Sequence, residues 1–468
     1  SVTFLPNNIT ISVESGTTVL DAMIHAGLHP DAPCGGRGTC GKCKVQIDGN
    51  TVLACQTQVH SDLVVRLSEK SEVSILETGI TGMVQADGFH EYVAAFDIGT
   101  TTLVAFLLSG KTGELLATAS SMNPQAQYGA DVIARIESAM GADTPVLQEA
   151  ILPKLRELLT ELAQEAGIDQ NEIRLVSVVG NTAMHHLLLG IDPKPLVTPP
   201  YMPNIREAME LPAASLLPIH PGGVLRVLPN IAGFVGGDTV GCMTAVDFGN
   251  LDRLTLMIDI GTNGEMVLGS RDRRIACSTA AGPAFEGAKI SCGMRAADGA
   301  IDHVWLEAGE VKCSVIGGEN AVGICGSGIV DAVAVALDMG WLNKRGKILR
   351  ADGVIPLTGQ IFLTQEDIRQ VQLAKGAIAA GIELLAQQLG IALAEVEEVY
   401  LAGAFGTYMD PVSACRIGLL PPILLDKIRA VGNAAGSGAR LLAADEEALK
   451  QADDLVNAVE FVELASMP

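Results

Sequence analysis

The alternation of apolar and polar residues predicts a small sheet-and-helix domain at the start of the chain. The run VTFLPNNITISV forms two short strand-like segments around a Pro-Asn-Asn turn. The run TTVLDAMIHAGL has apolar residues at helical spacing after a Thr-Thr pair that can cap a helix. Two later strands are predicted for KVQI and LVVRL. We therefore predict a first domain over residues 1–72.

The rest of the chain shows an internal repeat. Residues 73–91 have no clean periodicity and are predicted to be a linker. Beyond them, two segments share an apolar strand ending in Asp, a Gly-Thr turn and a returning strand: VAAFDIGTTTLVAFLL and LMIDIGTNGEMVLG. Each is followed later by a strand, a glycine turn and a helix: RLVSVVGNTAMHHLLL and EEVYLAGAFGTYMD. Residues 253–468 are thus predicted to duplicate the α/β fold of residues 92–252.

Composition narrows the functional classes. A chain of 468 residues, 48% hydrophobic and 18% charged, suits two or three domains with large buried sheets. The net charge of −23 argues against nucleic acid as a ligand, because phosphate backbones need a basic face. There is no run of eighteen apolar residues, so we expect no membrane span, and the first residues lack the pattern of a signal peptide. We expect a cytoplasmic protein.

Four of the ten cysteines are clustered, and the other six are scattered as small buried residues would be. The cluster has the spacing C-x5-C-x2-C-x11-C and consists of Cys34, Cys40, Cys43 and Cys55. An iron–sulfur cluster needs thiolates that converge from an irregular loop, and interleaved glycines permit the positive φ of such a loop. A zinc site would suit two C-x-x-C pairs, of which only one exists, and a reducing compartment disfavours a disulfide knot. These remain the alternatives.

Residues 2–70 resemble [2Fe–2S] ferredoxin modules, which have a β-grasp fold. The last gap, with IDG and LAC at its two ends, is similar to the iron–sulfur subunit of succinate dehydrogenase. The first gap is similar to adrenodoxin-type modules. The resemblance implies that the four cysteines ligate a [2Fe–2S] cluster, which passes one electron at a time.

The two Asp-Ile-Gly-Thr turns suggest a nucleotide cleft. If the hairpins face each other, backbone N–H groups of the turns can cradle phosphate oxygens. Asp97 and Asp259 can hold Mg²⁺ directly or through water. Further donors to phosphate are Thr100, Thr101, Thr262 and Asn263. One such turn is weak evidence, but two with matching flanks are strong.

Two other interpretations of these turns are open. Aspartic proteases carry a similar turn in each of two lobes, where two carboxylates share a proton. In that family the middle position is Thr or Ser, whereas Ile98 and Ile260 stand here, and the helix-rich remainder does not suit an all-β protease. The turns are alternatively two ordinary strand ends.

Further segments resemble the nucleotide signature of the actin, Hsp70 and sugar-kinase superfamily, whose lobes are ribonuclease H-like. LAGAFG offers a small-residue turn for a purine, and VGNAAGSGARLLA allows close helix packing at a hinge, with VVGNTAMHH as its expected counterpart. The resemblance implies a two-lobed ATPase with these phosphate-binding residues: Gly99, Thr100, Thr101, Thr102, Gly180, Asn181, Thr182, Gly261, Thr262 and Asn263. It assigns the adenosine to Gly403, Ala404, Phe405 and Gly406.

Two pairs of titratable residues belong to the same region. Glu265 and Glu286 are candidates to orient the attacking water, beside Asp97 and Asp259 as catalytic carboxylates. His185 and His186 lie in an apolar helical setting, where satisfied core histidines are expected rather than metal ligands.

The combination of a [2Fe–2S] module with an actin-like ATPase resembles the reductive activators of corrinoid enzymes. Segments that carry the resemblance are NPQAQYGADVIARI, NIAGFVGGDTV and GPAFEGAKISCGMRAADGAI. It implies ATP-dependent reduction of an inactive Co(II) corrinoid protein of a methyltransferase system to Co(I), with ATP and Mg²⁺ as further cofactors. A low-potential ferredoxin or flavoprotein is the implied upstream reductant, and a homodimer is among the expected assemblies. Family members often have an additional middle domain between the cluster module and the ATPase, for which residues 75–91 are too few, so we expect that domain to be missing here.

Three other functions stay open at this point. A kinase with a redox-sensing module would share the ATP cleft, although no sugar-site motif is visible. An activator of a radical dehydratase would also couple ATP to electrons, but those activators usually hold a [4Fe–4S] cluster at a dimer interface. A plain electron carrier would leave the long second part of the chain unexplained.

Overall fold

The computed structural model describes residues 1–28, 43–67, 76–80, 84–129, 131–141, 145–318 and 320–464, together with residues 30, 32, 36 and 38. Its strands form a five-stranded sheet near the N-terminus, two six-stranded sheets, and two small sheets of three and two strands. Among the described residues, none of the helices combines the length and the apolar character needed to cross a bilayer.

The first domain is a five-stranded sheet with one helix. Its elements are β1 (Val2–Leu5), β2 (Ile9–Ile11), α1 (Val19–His25), β3 (Lys44–Ile47), β4 (Asn50–Leu53) and β5 (Leu63–Leu67). The strand order is β2-β1-β5-β3-β4, with β1 parallel to β5. Thr18 caps α1 by accepting a hydrogen bond from the Asp21 N–H at 3.1 Å. The predicted β-grasp-like fold is confirmed, and β4 is a strand that the hydrophobic pattern did not predict.

The next part of the chain builds a six-stranded sheet in the order β10-β11-β9-β6-β7-β8. Its elements are β6 (Tyr92–Ile98), β7 (Thr102–Ser109), β8 (Leu115–Met122), α2 (Val132–Gly141), α3 (Pro145–Ala166), β9 (Ile173–Gly180), α4 (Thr182–Leu189), β10 (Met209–Pro212), β11 (Val224–Val227) and α5 (Gly237–Ala245). β6 and β9 are nearly continuous apolar runs because the sheet is covered on both faces. We call this unit the first lobe.

The second lobe contains the other six-stranded sheet, in the order β21-β20-β12-β13-β14-β22. Its strands are β12 (Thr255–Ile260), β13 (Gly264–Gly269), β14 (Arg274–Thr279), β15 (Ala300–Glu307), β16 (Glu310–Val315), β17 (Gly323–Ile324), β18 (Val354–Thr358), β19 (Ile361–Thr364), β20 (Glu398–Ala402), β21 (Ile428–Gly432) and β22 (Val459–Phe461). Its helices are α6 (Gly326–Asp338), α7 (Gln365–Leu389), α8 (Gly403–Tyr408), α9 (Pro411–Ile417), α10 (Ala434–Ala444) and α11 (Glu446–Asn457).

The two lobes repeat one topology, which confirms the predicted duplication. In the first lobe β9 is parallel to β6, and β6 forms an antiparallel meander with β7 and β8. In the second lobe β20 is parallel to β12, and β12 forms the same meander with β13 and β14. On the far side of these strands, β11 is parallel to β9 in the first lobe, and β21 is parallel to β20 in the second. The helices that follow them, α5 and α10, are therefore equivalent.

The predicted close helix packing of the VGNAAGSGARLLA segment is confirmed, but the predicted counterpart of this segment in the first lobe is wrong. α10 crosses α5, and a Cβ added at Gly438 would lie only 2.0 Å from the Gly241 carbonyl oxygen. The segment VVGNTAMHH instead forms β9 and α4, which correspond to β20 and α8. Its likeness to VGNAAGSG reflects a shared cap, because Asn181 and Asn433 each accept a hydrogen bond from the first turn of the following helix.

Candidate functional site

The two Gly-Thr turns have the same local structure. In the first lobe the Gly99 N–H donates to the Thr102 carbonyl oxygen at 2.9 Å, and in the second the Gly261 N–H donates to the Asn263 carbonyl oxygen at 2.9 Å. Each turn thus closes on itself at the end of a central strand. Asn123 supports the first turn by donating its side-chain amide to the Gly99 carbonyl oxygen at 2.8 Å.

A single carboxylate joins the two turns. Glu286 accepts hydrogen bonds from the Thr101 hydroxyl at 3.1 Å and from the Thr262 hydroxyl. Because Thr101 belongs to the first lobe and Thr262 to the second, the turns face each other across the cleft between the lobes. Glu286 itself lies on the loop after β14 and is half-buried.

Four carboxyl groups gather at the floor of this cleft. Burial raises the pKa of Asp97 to about 7, with a smaller raising effect of the Asp259 charge that a hydrogen bond from Asn433 opposes. Burial also raises the pKa of Asp259 to about 6. Burial and the charges of their neighbours raise the pKa of Asp238 and that of Glu265. When four carboxyl groups lie this close together, the charged form of each is disfavoured unless a bound cation offsets the negative charge.

The chemistry of this cluster fits Mg²⁺ bound through water. Carboxylate oxygens are the ligands that Mg²⁺ prefers, and it usually retains several of its waters. Among the described residues, no three or more His, Cys, Asp or Glu side chains converge closely enough to ligate a metal ion directly. Asp97, Asp238 and Asp259 can therefore hold the ion's hydration shell rather than the ion itself.

Glycines bring the neighbouring strands close to these carboxylates. Gly403 has a φ of +78°, and a Cβ there would lie 2.6 Å from Asp259 Oδ1. A Cβ at Gly180 would lie 2.8 Å from the Ile98 carbonyl oxygen. Asn181 donates its side-chain amide to the Thr100 hydroxyl at 2.9 Å. The strand ends of both lobes thus surround the turns, as the sequence predicts.

The predicted adenosine segment lies beside an aromatic pair. Phe405 stacks on Phe285 with ring centroids 4.8 Å apart and an interplanar angle of 16°. Gly326, at the start of α6, permits this packing, since a Cβ there would lie 2.0 Å from the Phe285 carbonyl oxygen. Ala404 is exposed and Gly406 is buried. Phe285 directly precedes Glu286, so one loop serves both the aromatic pair and the turns.

In and around α4, the structure differs from the expectations for the Thr182 and His185 side chains and agrees with the expectation for His186. Thr182 is fully buried and donates its hydroxyl to the Ala232 carbonyl oxygen at 2.7 Å, so this side chain holds the fold rather than facing the cleft. His186 is a satisfied core histidine, with Nδ1 at 2.7 Å from the Thr182 carbonyl oxygen and Nε2 accepting from the Asn204 N–H at 3.1 Å. His185 is equally buried, and among the described residues neither of its ring nitrogens has a hydrogen-bond partner. Burial lowers the pKa of His185 to about 3.

Sequence reasoning missed three residues of the site. Asp238 follows a Gly-Gly pair at the start of α5, and Asn433 follows Gly432 at the start of α10, so the shared signal is a polar residue after glycine at a strand-to-helix turn. Arg135 is fully buried and donates to the Thr100 carbonyl oxygen and, at 2.9 Å, to the Gly129 carbonyl oxygen. The feature of the sequence that could have pointed to Arg135 is the presence of an arginine within the largely apolar run DVIARI.

The cysteine site is described in part. Cys34 and Cys40 lie outside the described residues, whereas Cys43 directly precedes β3 and Cys55 lies in a short turn after β4. The Cys43 and Cys55 Sγ atoms are 3.3 Å apart in the buried core of the first domain. Gly36, which lies between Cys34 and Cys40 in the sequence, is close to Cys55, because a Cβ added at Gly36 would lie 3.9 Å from Cys55 Cβ. Gly36 and Gly38 have the positive φ predicted for this loop. The donor set fits an iron–sulfur cluster.

Family comparisons divide the chain into three matched regions. The 2Fe-2S iron-sulfur cluster binding domain matches residues 2–63. The RACo middle region matches residues 92–250, and the C-terminal domain of RACo, the ASKHA domain, matches residues 253–468. The middle region is thus the first lobe, so the expectation that a middle domain is missing from this chain is wrong.

Full-length relatives and a solved structure agree with these matches. The corrinoid activation enzyme RamQ of Eubacterium limosum is 33% identical, with 99% of this chain and 96% of the relative covered over 572 aligned positions. A [Co(II) methylated amine-specific corrinoid protein] reductase of Methanosarcina barkeri is 30% identical, with 78% of this chain and 72% of the relative covered. A reductive activator for a corrinoid, iron–sulfur protein has 29% identity and a TM-score of 0.72, with 100% of this chain and 96% of that chain covered. The chain belongs to the family of ATPase-coupled reductive activators of corrinoid proteins.

Proposed function

We propose that the chain uses ATP to return the inactive Co(II) form of a methyltransferase's corrinoid protein to Co(I) by transfer of one electron. The observation that carries this proposal is the union of a thiolate site with a two-lobed ATPase. Cys43 and Cys55 converge in the first domain, and the two phosphate turns of the ATPase meet at Glu286. The named activities of the two full-length relatives support a corrinoid substrate.

We assign the [2Fe–2S] cluster to Cys34, Cys40, Cys43 and Cys55. When bound, the cluster supplies a one-electron carrier. The chain holds the Cys43 and Cys55 sulfurs together inside the apolar core of the first domain, which limits the access of water to them. Gln56 Nε2 lies 3.9 Å from Cys55 Sγ, within reach of a weak hydrogen bond to that sulfur.

We assign the nucleotide site to the turns Gly99–Thr102 and Gly261–Asn263, with Gly180, Asn181 and the 403–406 segment around them. When bound, Mg²⁺-ATP supplies the phosphate charge and the hydrolysable bond that drive the cycle. The backbone N–H groups of the turns can hold phosphate oxygens, and Asp97 with Asp259 can hold the hydrated ion. The Thr101 and Thr262 hydroxyls, now bonded to Glu286, are also natural donors to phosphate.

Closure of the lobes is the motion that ATP has to control. A ligand shifts such an equilibrium only if it binds one state better than the other, so ATP must bind the closed form more tightly. The close crossing of α5 and α10 provides a hinge. Electron transfer from an ordinary ferredoxin to Co(II) is uphill, and each 59 mV of mismatch is tenfold in the equilibrium of one electron.

The upstream electron donor is proposed to be a low-potential ferredoxin or flavoprotein, and a homodimer is the proposed assembly. The proposed compartment is the reducing cytoplasm. Six cysteines outside the cluster site are free thiols, which supports this assignment: Cys242, Cys277, Cys292, Cys313, Cys325 and Cys415.

The visible spectrum of a Co(II) corrinoid protein tests the proposal. The corrinoid protein is mixed anaerobically with the pre-reduced, cluster-loaded chain, with Mg²⁺-ATP, with Mg²⁺-ADP or without nucleotide. We expect growth of the Co(I) band only with ATP, or of methyl-Co(III) when a methyl donor is present. Absence of any change with several corrinoid proteins, while the chain still binds ATP, would contradict the proposal.

A further inference from the structure

Residues 76–80, which we call the strap, lie between the cysteine domain and the ATPase and are bonded to the start of α10. The Asn433 N–H donates to the Thr78 carbonyl oxygen at 2.9 Å. The Asn433 side-chain amide donates to the Leu76 carbonyl oxygen at 3.3 Å. Arg440, almost two turns further along α10, donates to the Ile80 carbonyl oxygen at 3.4 Å. Three strap carbonyl groups are thus held by one helix.

The strap approaches α10 so closely that backbone touches backbone. A Cβ added at Gly79 would lie 2.2 Å from the Asn433 carbonyl oxygen and 2.2 Å from the Ser437 hydroxyl. A Cβ at Gly432 would lie 2.7 Å from the Thr78 carbonyl oxygen. Both positions therefore need glycine, and the contact has no room for even one methyl group.

The same strap is bonded to the first lobe. Glu77 accepts a hydrogen bond from the Ser120 hydroxyl at 2.6 Å, and Ser120 lies on β8. α10 follows the second-lobe sheet in the chain but packs mainly against α5, β6 and β9 of the first lobe. The strap is therefore held where the two lobes meet, and a shift of α10 relative to β8 must move the strap or break one of these contacts.

Asn433 connects this contact to the nucleotide cleft. Its Oδ1 accepts from the Gly436 N–H at 2.7 Å and so caps α10. Its amide also lies close enough to the Asp97 carboxylate to lower the pKa of that group. The side chain thus caps α10 and holds the strap, and α10 packs against β6, the strand that carries Asp97.

We propose that Asn433 is a positioning residue that couples nucleotide binding in the cleft to the placement of the cysteine domain through the strap. This inference rests on the proposed function, because it gives the ATP-driven motion a route to the electron carrier. Because α10 packs against β6, a ligand that shifts the strand carrying Asp97 also shifts Asn433, and with it the hold on Leu76 and Thr78. Coupling of this kind is reciprocal, so release of the strap also changes nucleotide affinity.

The substitution Gly79→Ala breaks the contact between the strap and α10 without altering a residue of the nucleotide cleft. The matched control is Gly376→Ala on the exposed face of α7, where an added Cβ meets nothing within 4 Å. Glu77→Ala is a second variant, which removes the hydrogen bond from Ser120. Retained cluster absorbance and an unchanged far-ultraviolet circular dichroism spectrum in each variant establish that the full chain is folded.

Hydrogen exchange of the cluster-loaded chain, with and without Mg²⁺-ATP, measures the coupling without any corrinoid protein. We expect ATP to change exchange at residues 76–80 and 433–440 together in the unsubstituted chain and in Gly376→Ala. In Gly79→Ala the strap should exchange faster and no longer respond to ATP. An ATP response at residues 433–440 that leaves residues 76–80 unchanged in the unsubstituted chain would overturn the proposal.

Corrinoid reduction provides the second readout. We expect Gly79→Ala and Glu77→Ala to lower the ATP stimulation of Co(II) reduction by about 10-fold, within the usual range of allosteric coupling. Their reduction of a small artificial one-electron acceptor should remain unchanged. Full ATP stimulation in both variants would overturn the inference. A coupled exchange response without corrinoid reduction by the unsubstituted chain would support the coupling and contradict the proposed function.

Discussion

At the scale of single residues, the cleft carboxylates set a pH dependence. Burial raises the pKa of Asp97 from 3.8 to about 7 and that of Asp259 to about 6. The folded chain without nucleotide therefore binds more protons than the unfolded chain between about pH 4 and pH 7, and these groups make it less stable as the pH rises through that window.

We expect Asp97→Asn to remove part of this pH dependence. Melting temperatures from calorimetry at pH 5 and pH 7, without nucleotide, check it against the unsubstituted chain. The buried His185 has a lowered pKa and acts in the opposite direction, but it contributes to both proteins and cancels in the difference. Parallel pH profiles of the two proteins would contradict the expectation.

The two candidate glutamates can be separated by their environments. Burial, together with the charges of Asp238 and Asp259, raises the pKa of Glu265 well above its ordinary value, which disfavours the charged carboxylate that a general base needs. Glu286 joins Thr101 and Thr262 at the centre of the cleft. We expect Glu286→Gln to slow ATP hydrolysis by about 100-fold or more, as for loss of a general base. Glu265→Gln should have a much smaller effect, measured as phosphate release at saturating ATP.

The positions of single residues could be predicted where the local pattern determined them. Asp97 and Asp259 end apolar strands before Gly-Thr turns, so their position was readable. Asp238 and Asn433 reach the same cleft from helix starts far apart in the chain, and only the duplicated topology brings them together. Thr182 matched the signature, yet its hydroxyl is used by the Ala232 carbonyl oxygen, a contact that no local pattern shows.

At the scale of elements, α5 and α10 cross in close contact where the two lobes meet. A Cβ at Gly438 would lie 2.0 Å from the Gly241 carbonyl oxygen, so Gly438→Ala must push the two helices apart. We expect a loss of about 1–3 kcal/mol in the free energy of unfolding, typical of overpacking, together with weaker ATP binding. Gly376→Ala should instead gain about 0.5–1 kcal/mol, because it adds helix propensity without a clash.

Urea unfolding and ATP titration of the two variants check this prediction. Equal stabilities of Gly438→Ala and Gly376→Ala would show that the helices adjust without cost. The sequence indicated close packing in this region because small residues recur along α10. The sequence could not indicate that α5 is the helix that packs against α10, since α5 is almost 200 residues away. The similar sequence VGN at residues 179–181 lies instead at the end of β9 and the start of α4.

At the scale of the whole molecule, the order of domains could be predicted because each carries its own pattern. The cysteine spacing marked the first domain, and the repeated strand-turn-strand marked the two lobes. The docked strap could not be predicted, since its contacts to Asn433 and Ser120 use two backbone carbonyl groups and one side chain of the strap and leave no periodicity. It makes the connection between the domains part of the ATPase surface.

A mixing experiment tests whether both halves act within one chain. We expect Cys43→Ser to lose Co(II) reduction while it still binds ATP, and Asp259→Ala to keep the cluster while it loses ATP-dependent stimulation. Because the strap joins each cysteine domain to its own α10, an equimolar mixture of the two variants should remain inactive. The measurement is the Co(I) band with Mg²⁺-ATP, with the unsubstituted chain at half concentration as the control. Recovery of activity in the mixture would show that one chain's nucleotide drives another chain's electron transfer, as a coupled dimer would.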